Sequence, residues 1–232
     1  MNLVIDFGNT RIKTALFDGH RLRDENVFAS LNDLKRVHFD FERVIISNVS
    51  YPEDEVRELF PTALFVSVGL KMPFFLDYAT PQTLGVDRLA LTAGGVSLAN
   101  NTDFLVIDLG TCITYDFIEK GKLYKGGAIS PGVQMRAKAM HNFTHKLPLV
   151  QPIKDCSLIG NSTLNSIMSG LVFGISFEIE GFIQRYQEKH PHIKVFLSGG
   201  DAQFFETKIN QSIFVVPNLA LLGLNKILQE NS

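Results

Sequence analysis

The chain has little cysteine: Cys112 and Cys156 are the only two in 232 residues. Two are too few for a disulfide framework, and their spacing is not that of a metal site. Cys112 reads as a small buried thiol. Dense basic charge is also missing. The net charge is -2 and the longest basic cluster, residues 20–23, holds only two arginines, so nucleic acid is not an expected partner. The opening MNLVIDFG has neither a basic leader nor a cleavage site, so no signal peptide is expected. No apolar run is read as approaching the roughly 18 residues of a membrane span, so no membrane partner is expected either. A reducing cytoplasm fits these absences. His141 and His145 stand four apart without HExxH or a third ligand, and read as a solvated helix end. G-x-S-x-G and GxxxxGK[ST] are absent too, which removes the nucleophile elbow and the P-loop.

What is present is a repeat. LVIDFGNTRIKTALFDG begins at Leu3 and LVIDLGTCITYDFIEKG at Leu105, and the two stay in step to Gly19 and Gly121. Each opens on an apolar run that reads as a buried strand, turns at Asp-x-Gly, and continues with alternating residues. Asp18-Gly19 and Lys120-Gly121 then turn the chain into a third strand. Each half therefore begins with a three-stranded antiparallel meander. The composition, 45% hydrophobic and 20% charged, suits a globular core. Internal similarity of this kind predicts two duplicated α/β halves, 1–100 and 101–232.

The remaining segments alternate between strand and helix. SLNDLKRVHF reads as a helix capped by Ser30, ERVIISNV as a strand, PEDEVRELF as a short helix and TALFVSV as a strand. GVDRLALTAGGVSLAN reads as a helix ended by Asn100 and Asn101. In the second half, Pro131 is expected to begin a helix over PGVQMRAKAMHNFTHKL, and Ser162 or Thr163 to cap a long helix reaching residue 189. IKVFLSGG and SIFVV read as strands, DAQFFET and NLALLGLNKILQE as helices. Gly170 and Gly174 share one face of the long helix and permit close helix approach, within the chain or at a dimer seam.

An Asp at a strand end followed by a Gly turn sets a carboxylate beside backbone N–H groups, and the Gly lets a phosphate come close. In the first copy, Asn9, Thr10 and the loop amides offer hydrogen bonds to phosphate oxygens. Asp6 offers a hold on Mg²⁺ through water. Lys13 points a compact positive charge at the same loop. Asp108-Leu109-Gly110-Thr111 offers a similar cradle from the opposite side. One such loop is an ordinary hairpin turn; two at equivalent places point to function.

The paired loops resemble those of the sugar kinase, Hsp70 and actin superfamily, whose fold sets two duplicated ribonuclease H-like (actin-like ATPase) α/β domains facing a central cleft. Tyr78 to Arg88, YATPQTLGVDR, resembles the Y-x-x-P…G-x-D-R signature of type III pantothenate kinases. GGAISPG at 126–132, GNST at 160–163 and PNL at 217–219 resemble that family's further motifs, in the same order and across nearly the whole chain.

The resemblance implies ATP-dependent phosphorylation of the primary hydroxyl of pantothenate, the first step toward coenzyme A. It implies a homodimer, and a monovalent cation, K⁺ or NH₄⁺, beside ATP and Mg²⁺. Asp6, Phe7, Gly8, Asn9, Thr10, Arg11, Ile12 and Lys13 would bind ATP, with Thr111 adding a phosphate contact and Asp108 holding the monovalent cation. Tyr78, Gly85, Val86, Asp87, Arg88 and Thr163 would contact pantothenate. Asp87 would be the general base; phosphoryl transfer is mostly positioning, so a carboxylate has only to orient the hydroxyl and accept its proton.

Taken by itself, Asp87 could equally serve the helix N-terminus with its charge. Arg88 could pair with the pantothenate carboxylate or form an adjacent salt bridge. The turn Ser198-Gly199-Gly200-Asp201 could reach the nucleotide or simply link strand to helix. Two rival functions share the fold: a kinase of sugars or short-chain acids, and a nucleotide-switched binding module. The acceptor motif speaks against the first. The absence of large insertions speaks against the second.

Overall fold

Both LVI runs become central strands. In a computed structural model, which describes residues 1–153 and 155–232, β1 (Asn2–Phe7), β2 (Ile12–Asp18) and β3 (Arg21–Phe28) form the first meander. Strands β4 (Arg43–Asn48) and β5 (Leu64–Phe65) extend it in the order β3-β2-β1-β4-β5. β1 runs antiparallel to β2 and parallel to β4. The second sheet adds β6 (Phe75–Leu76) to β7 (Phe104–Leu109), β8 (Cys112–Glu119), β9 (Leu123–Pro131), β10 (Lys194–Ser198) and β11 (Phe214–Val215). Its order, β11-β10-β7-β8-β9-β6, repeats the first sheet and then places β6 beside β9. The repeat in the sequence is thus a repeat in strand order. β6 was not anticipated, because two residues are too few for alternation to be visible.

The helices are α1 (Leu31–Leu34), α2 (Glu53–Leu59), α3 (Val86–Ala99), α4 (Val133–Asn142), α5 (Thr163–Lys189), α6 (Ala202–Phe205) and α7 (Leu219–Glu230). Ser30 and Ser162 cap α1 and α5, their side chains accepting from the N–H groups of Asp33 and Asn165. Asn100 ends α3 in the left-handed region at φ 55°. Pro131 does not begin a helix. It closes β9, where no further ladder donor is needed, and Gly132 caps α4.

The chain forms two compact units, one of residues 1–104, 116–126 and 218–232, the other of 105–115 and 127–217. In the first, alternation along β1 sends Leu3, Ile5 and Phe7 to one face, where Leu31 and Leu34 of α1 and Val56 of α2 close the core. Val4, Asp6, Ile45 and Ser47 take the other face, which α3 and α7 cover. These two helices meet closely. A Cβ on Gly223 would lie 1.7 Å from the Ala90 carbonyl oxygen, and one on Gly94 2.2 Å from that of Leu219.

That is the close approach the sequence reading assigned to Gly170 and Gly174. A Cβ on either of those meets nothing within 4 Å, so the intramolecular alternative is corrected. α5 packs instead through Ile167, Leu171, Ile175, Ile179 and Ile183, a stripe repeating every fourth residue. An 18-residue window of α5 has mean hydropathy 1.4, long and apolar enough by composition to cross a membrane, and 44% of it is buried inside the fold. Its isoleucines, Leu171, Val172 and the phenylalanines raise the hydropathy, and the interleaved small and charged residues keep it from being an unbroken apolar run. Its buried stripe makes it the core helix of the second unit.

Candidate active site

Strand register places the chemistry of the first loop. Asp6 pairs across the ladder with Lys13 on β2 and with Ser47 on β4. Directly opposed residues share a face, here the one beneath α3 and α7. The Gly8 N–H donates to the Arg11 carbonyl (3.2 Å) and closes the loop, leaving Asn9, Thr10 and Arg11 exposed. Among the described residues, Asp6 Oδ1 and Ser47 Oγ are both buried without a partner at hydrogen-bond geometry. Burial pushes the Asp6 carboxyl up from 3.8 to about 6; the Ser47 hydroxyl, close by but short of that geometry, and the Lys13 ammonium pull it back, and the Asp87 carboxylate adds to the rise. Asp87, at the start of α3, therefore acts on the same small region as Asp6 and Lys13. An orphaned carboxylate oxygen beside a second carboxylate is a costly arrangement that a hard cation would relieve, so the residues fit Mg²⁺.

Arg88 is buried and committed. Its Nε (2.9 Å) and Nη2 (2.7 Å) donate to Oδ1 of Asp116, and the Tyr124 hydroxyl donates to the same oxygen (2.7 Å). The salt-bridge reading of Arg88 is thus present in the fold, and Nη1 stays out of it. Burial opposes the charge on Arg88, but Asp116 outweighs it and the guanidinium is held as a firm cation. Burial, then Asp116, raises the Tyr124 hydroxyl well above its usual range and keeps it a donor. Tyr78 stands edge-on to Tyr124 with ring centroids 5.7 Å apart. The Arg88 backbone N–H donates to Asp87 Oδ1 (2.9 Å). The first unit therefore gathers Asp6, Lys13, Tyr78, Asp87 and Arg88.

Asp108, Thr111 and Thr163 lie in the second unit. Asp108 is half-buried near the end of β7, while Thr111 and Thr163 are exposed. The Gly132 N–H donates to the Thr111 carbonyl (3.0 Å), and a Cβ on Gly132 would come within 2.2 Å of the Gly110 carbonyl oxygen. The last Gly of GGAISPG is thus a nesting point for the Asp-x-Gly-Thr turn. The Asp201 N–H donates to the Leu109 carbonyl (3.0 Å), and Gly199, at φ 97°, packs on the Leu109 backbone. The turn at 198–201 supports this loop from behind; burial raises the Asp201 carboxyl. Among the described residues no three His, Cys, Asp or Glu side chains gather as a metal centre. A cation at Asp108 would complete its shell with carbonyl, hydroxyl or water oxygens.

Where the first copy has Lys13, the second has Tyr115, which stacks on Phe182 at 4.1 Å and donates to Glu178 (2.9 Å). Glu178 also accepts from Ser130 (2.5 Å) and from Arg136. Burial raises the Glu178 carboxyl, but Ser130, Arg136 and Tyr115 outweigh burial and hold it below its ordinary value. Asp116, Tyr124, Ser47, Glu178 and Arg136 were all missed in the sequence. The one usable signal was Asp116 itself, a carboxylate within the strand TYDF that a buried position obliges to find a cation.

Known proteins supply an independent comparison. The family model described as type III pantothenate kinase matches residues 2–185. A type III pantothenate kinase of Cytophaga hutchinsonii is 44% identical over 100% of both chains. Among solved structures, a Baf family transcriptional activator candidate from Campylobacter jejuni aligns with TM-score 0.68 at 22% identity, covering 99% of this chain and 98% of that one. A 2-dehydro-3-deoxygalactonokinase candidate from Sinorhizobium meliloti aligns with TM-score 0.61 at 11% identity, covering 99% and 96%. At such identities the structures speak for the fold alone: the mixed α/β, duplicated-sheet fold of sugar kinases and actin-like ATPases.

Proposed function

The chain belongs to the type III pantothenate kinase family, and on that premise we propose that Asp87 is the general base for transfer of the γ-phosphoryl group of ATP to the primary hydroxyl of pantothenate. The observation that carries the reading is the convergence of Asp6, Lys13 and Asp87 within one unit. A phosphate cradle and a proton acceptor are what phosphoryl transfer asks of a protein.

Asp87 accepts a hydrogen bond from the pantothenate hydroxyl and aims its oxygen at the γ-phosphorus; as the new P–O bond forms, the bond from that phosphorus to the β–γ bridging oxygen breaks, ADP leaves, and Asp87 takes the hydroxyl proton. Lys13 and the amides from Phe7 to Ile12 hold the phosphates. Asp6 would hold Mg²⁺, which would supply charge neutralisation on the phosphate oxygens. Thr111 adds a phosphate contact and Asp108 holds K⁺ or NH₄⁺, both carried over from the family's motifs. Tyr78, Gly85, Val86, Arg88 and Thr163 contact pantothenate, Arg88 through the donors that Asp116 leaves unused. A buried Arg and an aromatic wall suit a small acid with an apolar body better than a sugar.

We assign the working protein as a cytoplasmic homodimer. The open face of α5 at Gly170 and Gly174 supports a seam there. The test is ATP consumption by purified protein with and without pantothenate, in K⁺ and in Na⁺, beside a panel of sugars and short acids. Turnover should require pantothenate and run faster in K⁺. Folded protein that never consumes ATP with pantothenate, or prefers a sugar, overturns the reading.

A further inference from the structure

We propose that Asp116 is a positioning residue that sets the selectivity of the site for an acceptor carrying a carboxylate, by holding Arg88 directly and Tyr78 by way of Tyr124. The inference rests on the kinase reading above and names a determinant within it.

Asp116 is fully buried on β8, and one of its oxygens receives three donors: Arg88 Nε, Arg88 Nη2 and the Tyr124 hydroxyl. A guanidinium is planar and rigid, so fixing its Nε–Nη2 edge fixes the direction of every remaining N–H. Among the described residues two of the five N–H donors are used, and the others belong to Nη1 and the outer side of Nη2. The same carboxylate anchors the Tyr124 ring, against which Tyr78 rests edge-on. A single buried group thus stands behind two residues of the acceptor motif, Arg88 and Tyr78.

The fold itself does not demand a carboxylate at this point in the strand. In the first copy of the repeat Thr14 falls in step with Asp116, equally buried, and its hydroxyl has no partner among the described residues. An uncharged side chain therefore serves the strand; the charge at Asp116 serves Arg88. A guanidinium clamped along one edge presents a fixed pair of donors, the geometry that recognises a carboxylate. An acceptor with an alcohol in place of that carboxylate would leave those donors without a charged partner.

The experiment compares wild type, Asp116→Asn and Tyr124→Phe with two acceptors, pantothenate and its analogue in which the carboxylate is replaced by a primary alcohol. Thermal unfolding is followed in parallel. For Asp116→Asn, KM for pantothenate should rise about 10- to 100-fold, the range for losing hydrogen bonds to a charged group. KM for ATP should change less than about threefold, and the preference for pantothenate over the alcohol should fall at least about tenfold. Tyr124→Phe should shift both in the same direction by about three- to tenfold. A folded Asp116→Asn protein with unchanged selectivity overturns the proposal, as does an equal loss toward both acceptors. If Asp116→Asn fails to fold, Tyr124→Phe with wild-type selectivity overturns it. Wild type that phosphorylates neither acceptor sinks the kinase reading itself, an outcome distinct from the others.

Discussion

Lys13 stands directly opposite Asp6 across the β1–β2 ladder. An ammonium in that position would ordinarily drive a carboxyl below its solution value. Here burial wins, and Asp6 titrates near 6. The first loop therefore stores an unfavourable charge.

Asp6→Asn should stabilise the ligand-free protein at neutral pH. The folded value, about 6, lies above the unfolded 3.8, so the folded state holds its proton longer. Stability from this group is then lost as pH rises from about 4 through 6, by up to about 3 kcal/mol. Urea unfolding in EDTA should show Asp6→Asn gaining over wild type above pH 6, with the gain vanishing near pH 4. Mg²⁺ with ATP should raise the melting temperature of wild type but not of the variant. A variant with the wild-type pH profile would remove Asp6 from this account.

Asp87→Asn should fold and fail. Among the described residues, the hydrogen bond that Asp87 Oδ1 accepts is local, from the Arg88 N–H, and an amide oxygen accepts it equally well. Loss of a general base costs about 10²–10⁴ in turnover. Steady-state kinetics should find kcat reduced in that range with KM for ATP little changed. Activity within threefold of wild type would dismiss Asp87 as the base.

Gly223→Ala and Gly181→Ala should move stability in opposite directions. At Gly223 the new Cβ would lie 1.7 Å from backbone of α3, so the helices must separate, at a cost of at least about 2 kcal/mol. At Gly181 a Cβ meets nothing, and removing a helical glycine should gain about 0.5–1 kcal/mol. Denaturant midpoints report both; equal shifts would contradict the helix contact.

Glu178→Ala strips an acceptor from Tyr115, Ser130 and Arg136 together. With the site partly solvated, we expect a loss of about 2 kcal/mol, and about half of that for Glu178→Gln. Chemical denaturation distinguishes the two, and wild-type stability in both variants would show the network to be idle.

The sequence exposed whatever is local or repeated. The two meanders, the caps at Ser30 and Ser162 and the turn at Lys120 follow from residues a few positions apart. So does the grouping of Asp6 with Lys13, since a tight hairpin fixes its own register. What stayed hidden depends on distance along the chain. Asp116 meets Arg88 from another element, and nothing near TYDF announces that partner. Ser47 became a neighbour of Asp6 only through a parallel pairing whose register no local signal sets. The glycines show the same limit from the other side. Gly170 and Gly174 have the spacing of a helix contact, yet a Cβ on either would meet nothing within 4 Å among the described residues, while Gly94 and Gly223, far apart in sequence, make the contact.

The strand β6 comes from the first half of the sequence yet pairs with β9 of the second, and α7, the last helix, packs on α3 of the first. A fragment ending at residue 100 would leave bare the sheet face that α7 covers, and its complement would begin without the strand that edges β9. Each half is now a prosthesis for the other. Residues 1–100 and 101–232 expressed apart should aggregate, and should regain a fold only when renatured together.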